Sequence, residues 1–299
     1  MKVKFKPPSK SERYAAIGPI DELPEKLQHA FDPQDFEPIP RPISGDWLEE
    51  HRESGQTFNQ FKQQGWSQPD EYRNIIYLQP LGKFSQDKSP SLNLLQAFVG
   101  IYYGINVTIH PALNLKKHRI TIRINPYIRN LQILTSDILD ILKKQLPEDA
   151  FCLMGISMDD LYPHPSWNFV FGQASFQDRV GVYSFARYHP AFYKEQPGED
   201  FNQILLKRSC KVLVHEIGHM CGLSHCIYFH CVMNGSNHLR ESDSRPLHLC
   251  PVCLHKLYSS IEFKIVERYQ KLEQFYQNNN LKDEADRIAN RLDFILAGE

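Results

Sequence analysis

The segment from Val212 to Cys253, VLVHEIGHMCGLSHCIYFHCVMNGSNHLRESDSRPLHLCPVC, constrains this chain more than any other. It carries His215, Glu216, His219, Gly222 and His225 in the order H-E-x-x-H-x-x-G-x-x-H, followed by Cys226, Cys231, Met233, Cys250 and Cys253. Residues four apart share one face of a helix, so His215 and His219 can offer two imidazoles to a single metal ion. Glycine at 222 can take a left-handed conformation that ends the helix and turns the chain back. His225, six residues past His219, can then bring a third nitrogen. Three protein ligands leave one position of tetrahedral zinc open, the mark of a catalytic rather than a structural site. Zinc there brings the pKa of water from about 15.7 toward about 7. Glu216, one residue past the first ligand, is placed to act as general base and to carry the proton to a leaving amine. Surface histidines on an amphipathic helix are the competing reading, and they do not account for Gly222 and His225.

The cysteines form a second pattern, C-x4-C-x18-C-x2-C, from Cys226, Cys231, Cys250 and Cys253. Four thiolates suit tetrahedral zinc and close its shell, so the spacing suits a structural centre rather than a catalytic one. A redox pair at Cys250 and Cys253 would need a strand before it and a βαβ setting, which the sequence lacks. His230, His238, His248 and His255 stand near enough to substitute for a sulfur. Cys152, Cys210 and Cys221 fall outside the pattern and read as buried free thiols; a reactive role for Cys221, close to the histidines, stays open.

These residues together resemble a known family. The H-E-x-x-H-x-x-G-x-x-H run followed by a methionine is similar to the metzincin group of zinc peptidases. The immediate Cys226, the spacing to Cys231 and the later C-P-V-C resemble one branch, the archaemetzincins. Weaker likeness runs upstream through GISMDDLYP, WNFVFGQAS and VGVYSFARY, over roughly residues 75–260. The resemblance implies a metzincin-type α+β domain with a mixed twisted sheet, an active-site helix and C-terminal helices. It also implies two zinc ions per chain, one catalytic and one structural, and a methionine turn at Met233. An edge strand, for which WNFVFGQAS is the candidate, would pair with an extended substrate by strand addition. Many metzincins carry a tyrosine just after the turn methionine; here Asn234 follows. The oxyanion-stabilising group is therefore not identifiable, with Tyr183, Tyr188 and His238 as bare candidates.

At 299 residues the chain has room for one large domain or two modest ones. Its net charge of −1 gives no general reason to expect nucleic acid or an anionic membrane as partner. The opening MKVKFKPPSKSERY lacks the apolar core of a secretory leader, and its lysines read as solvated. The apolar run Leu94–Ile109 is broken by Gly100, Gly104 and Asn106, which argues against a membrane span. Clustered cysteines at metal spacing, an odd total of seven and no leader point to a reducing compartment, cytoplasmic or nuclear.

Three stretches follow from composition. Residues 1–74 form a proline-rich extension, with helical turns expected around Leu23–Phe31 and Asp46–Phe61 and with Trp47 and Trp66 as anchors. Residues 75–258, where the texture changes, are expected to form the metallopeptidase domain that the resemblance implies, and 259–299 a C-terminal helical segment packed on it. Within the domain, IIYLQPLG, NVTIHP, RITIRI, AFCLMGISM, WNFVFGQAS and VGVYSFARY read as strands. SLNLLQAFVGIYYG reads as a helix, and Ser136 as the cap of another. His110 and His118 read as structural or exposed, and the acidic pair Asp159/Asp160 as a solvated strand end. Asn280 and Asp283 are expected to cap the last helix.

The function expected is zinc-dependent peptide hydrolysis by a monomer on peptide or protein substrates, with Glu216 as base and aminopeptidase action as one form of it. A non-enzymatic, zinc-stabilised interaction scaffold is the rival, and an intact Glu216 argues against it. Nucleic-acid binding through the cysteines lacks the basic, aromatic-interleaved surface it would need.

Overall fold

The computed structural model describes residues 5–65, 68–85 and 88–297. Trp66 and the first lysines, Lys2 and Lys4, lie outside the described residues. The chain folds as an α+β protein in two compact units: residues 68–220 form one, and residues 1–67 with 221–299 form the other. The three stretches drawn from composition run consecutively along the chain. The second-named unit instead gathers both chain ends, because the N-terminal helices bury their apolar sides on the C-terminal ones.

Along the chain come helices α1 (Lys10–Ile17), α2 (Glu25–Phe31), α3 (Trp47–Glu50) and α4 (Phe58–Gln63). Strand β1 (Ile75–Leu81), α5 (Leu92–Tyr103), β2 (Asn106–Ile109), β3 (Ile122–Ile124), β4 (Leu131–Leu134) and α6 (Thr135–Lys144) follow. Then come β5 (Ala150–Ser157), β6 (Asp160–Tyr162), β7 (Gly172–Ser175), β8 (Val180–Ser184) and α7 (Phe201–Met220). The chain ends with α8 (Leu239–Ser244), α9 (Pro251–Ile261), α10 (Ile265–Asn278) and α11 (Lys282–Leu296). Among the described residues no helix is long and apolar enough to cross a membrane.

In the unit of residues 68–220 the main sheet has the order β2-β1-β5-β8-β7. The first four strands run parallel and β7 is an antiparallel edge. Every residue of β5 is buried, which explains its unbroken apolar run: a central parallel strand is covered on both faces. Leu153, Val180 and Val182 pack with Ile138 and Leu142 of α6, and each such side chain contributes about 1.5–3 kcal/mol of burial. Helix α5 is capped by the Ser91 side chain and stopped by Gly104 in a left-handed conformation. A smaller sheet, β3-β4-β6, pairs β3 with β4 antiparallel and β4 with β6 parallel.

Four local expectations are corrected. Helix α6 begins at Thr135 straight out of β4, so Ser136 lies inside the helix and no side chain caps it. The strand expected over 167–175 shortens to Gly172–Ser175. The Asn168 carbonyl is instead drawn away by the side chains of Arg123, Asn125 and Gln132. Asp160 is no solvated strand end but a buried residue, 3% exposed, paired with the Arg187 guanidinium at 2.7 and 2.8 Å. Helix α11 starts after Leu281 without a side-chain cap, and Asn280 takes a left-handed turn conformation instead.

In the other unit, α1 and α4 each open on a reciprocal capping box, Ser9 with Glu12 and Thr57 with Gln60. Phe31 and Phe58 both stack on the His255 ring of α9, at centroid distances of 4.5 and 3.8 Å. The Arg291 guanidinium of α11 donates to the carbonyls of His29, Ala30 and Asp32, satisfying the C-terminal end of α2. The N-terminal stretch is therefore packed over much of its length by ring stacking and hydrogen bonds.

Candidate metal centres

The four cysteines come together in the unit holding both chain ends. Cys226 and Cys231 sit in the loop that follows α7, Cys250 immediately precedes α9, and Cys253 lies in its first turn. All four are buried, and their sulfurs lie within 4.8 Å of one another. The Cys226 and Cys250 sulfurs are 3.6 Å apart, far beyond a disulfide. Tetrahedral zinc with sulfurs at about 2.3 Å would space them by about 3.8 Å, so the donor set fits zinc. Backbone N–H groups of Met233 and Cys250 point at the Cys231 sulfur, at 3.5 and 3.3 Å. Such donors stabilise thiolate charge. Burial alone would raise the Cys226 thiol, but hydrogen bonds from the other three cysteines outweigh it and hold Cys226 well below the ordinary thiol range. A cluster that keeps a thiolate in a buried place is suited to a cation.

None of the neighbouring histidines joins this set. His255 bonds to the Ile17 carbonyl at 2.7 Å, and His238 Nε2 faces Asp46 at 3.2 Å. Asn234, at the position of the missing tyrosine, is buried and ties the cysteine loop together. Its amide donates to the carbonyls of Cys226 and Phe229, at 2.7 and 3.0 Å, and its oxygen accepts from the Cys231 N–H at 2.8 Å.

The first two histidines lie in the other unit, in the last turns of α7. Their Nε2 atoms approach to 3.1 Å with the rings at 90°. Two imidazoles on one zinc at about 2.0–2.1 Å would hold these nitrogens about 3.4 Å apart, so this pair also fits. The helix under them is firmly seated: the Val214 carbonyl accepts from the Tyr103 hydroxyl at 2.5 Å, and Val212, Leu213 and Ile217 are buried. Helix α7 stops at Met220, and Gly222 follows with a φ of +81°, the left-handed turn the sequence called for.

Glu216 stands against the edge strand. A Cβ added to Gly172 would come within 2.9 Å of the Glu216 carboxyl carbon, so this strand passes the carboxylate at contact distance. On the neighbouring strand, burial raises the Tyr183 hydroxyl well above the ordinary tyrosine range, and the Glu216 charge adds to it. Tyr183 is thus a protonated, fully buried group rather than one facing a substrate. Cys152, Cys210 and Cys221 are buried and take part in no disulfide.

His225 lies in the unit of the cysteines. Its Nδ1 is 2.9 Å from Glu53 Oε1, and Trp47 Nε1 donates to the same oxygen at 2.9 Å. Burial pushes the Glu53 carboxyl up, but the contacts with His225 and Trp47 prevail and hold it below its ordinary value. Glu53 and Trp47 belong to the proline-rich extension, where the sequence marks Trp47 as an anchor and no residue as a metal partner.

Comparison with known proteins settles the family. Archaemetzincin-2 of Mus musculus is 40% identical over 286 residues, spanning 86% of this chain and 80% of the relative. The chain belongs to the archaemetzincin family. Archaemetzincin-2 of Homo sapiens is 42% identical over 82% of this chain and 76% of its own length. The pattern of Peptidase family M54 matches residues 114–259. A solved archaemetzincin from Methanopyrus kandleri is 27% identical, covering 65% of this chain and 99% of that one, with a TM-score of 0.48. As an archaemetzincin the protein is a metallopeptidase, and the cysteine cluster fits the zinc of that family.

Proposed function

We propose that this archaemetzincin hydrolyses peptide bonds with Glu216 as general base and with His215, His219 and His225 holding a catalytic zinc. A second, structural zinc is held by Cys226, Cys231, Cys250 and Cys253. The observation that carries this reading is the 3.1 Å convergence of the two helix histidines with Glu216 one residue away and an edge strand beside it. The left-handed Gly222 supports the third ligand, because it reverses the chain within the few residues that separate His219 from His225.

Bound at the histidines, zinc supplies Lewis acidity, which polarises a carbonyl and lets water lose a proton near neutral pH. The chain does the rest. His215 and His219 are held by a buried helix, so the geometry is set before substrate arrives. The open backbone groups of β7 can align an extended peptide past Glu216 by adding it as a further antiparallel strand. Glu216 removes the proton of the attacking water and returns it to the nitrogen of the departing chain. A pure scaffold would have no use for that carboxylate, which weighs against the non-enzymatic reading.

Substrates on this reading are peptides or proteins taken by a monomer in a reducing, intracellular compartment, with neither nucleic acid nor membrane as partner. Aminopeptidase action is one form of the activity, and the substrates themselves separate the forms. Peptides with free and with acetylated N-termini are incubated with wild type and Glu216→Ala. Cleavage by wild type and loss in the variant is expected; cleavage confined to free N-termini assigns an aminopeptidase. Equal turnover by both proteins would overturn the role of Glu216.

A further inference from the structure

We infer that the N-terminal stretch is a working part of the catalytic metal centre, with Glu53 the positioning residue that presets His225. The inference deepens the proposed zinc site and rests on it. Nothing in the family pattern leads to Glu53: the match begins at residue 114, and 172 residues separate Glu53 from His225.

The geometry is specific. A carboxylate only accepts, so the 2.9 Å contact requires the proton on His225 Nδ1. The imidazole lone pair then lies on Nε2, the same ring nitrogen by which His215 and His219 approach each other at 3.1 Å. A partner on the second ring nitrogen fixes both the tautomer and the ring plane, and makes the metal-facing nitrogen more basic. Glu53 is itself held. Trp47 Nε1 donates to the oxygen that His225 uses, and the Trp47 ring meets the His225 ring edge-on at 5.0 Å and 81°. The indole thus limits rotation of both partners.

The same stretch grips the backbone just before His225. The Gln56 amide donates to the Gly222 carbonyl at 3.1 Å, and its oxygen accepts from the Ser224 N–H at 3.3 Å. Buried Lys256 of α9 donates to the Gln56 backbone carbonyl and, at 3.2 Å, to its side-chain oxygen. Ring orientation and turn geometry are therefore both set by residues 47–56. A carboxylate placed there for solubility alone would have no reason to share one oxygen between an indole and an imidazole.

The test uses full-length protein in three forms: wild type, Glu53→Ala and Glu53→Gln. Zinc at the histidine site is titrated against a competing chelator, and circular dichroism confirms the fold. Cobalt is also loaded at the histidine site of protein that keeps zinc at the cysteines, so that the d–d bands, which are sensitive to ligand geometry, report the histidines, and near-ultraviolet thiolate absorption reveals any cobalt that reaches the sulfurs. Glu53→Ala is expected to weaken histidine-site zinc about 10–100-fold and to alter the d–d bands while thiolate absorption stays absent. Glu53→Gln keeps an acceptor for the Nδ1 proton and should recover most of the affinity and the wild-type spectrum. Wild-type affinity in a folded Glu53→Ala overturns the inference alone. If Glu53→Ala does not fold, Glu53→Gln decides: a tenfold or larger loss in this variant overturns positioning in favour of charge. A wild type that takes zinc only at the cysteines overturns the inference together with the proposed site.

Discussion

The four cysteines and the two helix histidines offer a metal opposite surroundings. The cysteine site is closed: four ligands from one unit, each sulfur buried, two sulfurs 3.6 Å apart and backbone donors around them. The histidines are a pair on one helix face, their Nε2 atoms 3.1 Å apart, with Glu216 next to the first of them in the chain. A closed shell holds structure and has nothing left for chemistry. An incomplete shell beside a carboxylate that the proposed function makes a base has an opening for water and substrate. On the proposed reading the same metal takes two roles in one chain because the donor count and the neighbours differ.

The largest effect expected falls on the closed site. Structural zinc contributes apparent binding energies of about 10–16 kcal/mol in small zinc modules, and much of that is folding energy. Stripping zinc with a strong chelator should therefore lower the thermal midpoint steeply, with the loss reversed on adding zinc back. Metal analysis should find two zinc ions per chain in protein purified without added metal. A stoichiometry near one, or an unchanged melting curve after complete stripping, would break the comparison.

Next comes the base. Glu216→Ala should keep both metals and the fold while cutting turnover about 10²–10⁴-fold, the usual contribution of a general acid or base. A variant that loses zinc in parallel with activity would make Glu216 a ligand instead. Gly172→Ala probes the same carboxylate without touching it. Its new methyl would lie 2.9 Å from the Glu216 carboxyl and 2.9 Å from the Tyr183 Cβ, so strand or carboxylate must shift. A displacement near 1 Å costs about 10²-fold in rate, and zinc content should be unchanged. Wild-type kcat in Gly172→Ala would mean that the edge strand yields freely and does not position the base.

How much of this could be read from residues alone follows the range of the interactions. The helix histidines, Gly222 and the cysteine spacing are local patterns in which periodicity or turn chemistry dictates placement: two Nε2 atoms lie 3.1 Å apart, Gly222 has a φ of +81° and four sulfurs gather within 4.8 Å. Strand β5 was legible as an unbroken apolar run because it is central and buried throughout. Helix α1 had a local signal too, the S-x-x-E box from Ser9 to Glu12, but prolines on either side obscured it. Asp160 with Arg187 and Glu53 with His225 are different in kind. Their partners lie 27 and 172 residues away, so no spacing rule connects them. A charged residue that finds a distant partner looks, in sequence, the same as one that faces water.

The smallest effect expected is also the one that asks whether the two sites are independent. His225 and Cys226 are adjacent, so a ligand proposed for one metal and a ligand for the other share a peptide bond. The Cys226 N–H bonds to the Met233 carbonyl at 2.8 Å, and Asn234 holds the Cys226 carbonyl at 2.7 Å. The Asn234 oxygen in turn accepts from the Cys231 N–H at 2.8 Å, and the Cys231 sulfur accepts from Cys250 at 3.3 Å. The backbone that aims His225 is thus braced through the cysteine loop, and loosening the loop should loosen the histidine. Cys253→Ser, far along the chain from every histidine of the motif, is therefore expected to weaken histidine-site zinc about 10–100-fold, as losses in a supporting shell do. The competing expectation is that the cysteine metal only fastens α9 and leaves the histidines alone. Titrating the histidine site in Cys253→Ser that remains folded by circular dichroism separates the two. An affinity equal to wild type would show that Glu53 and Gln56 suffice to hold His225, and that the closed site is merely its neighbour.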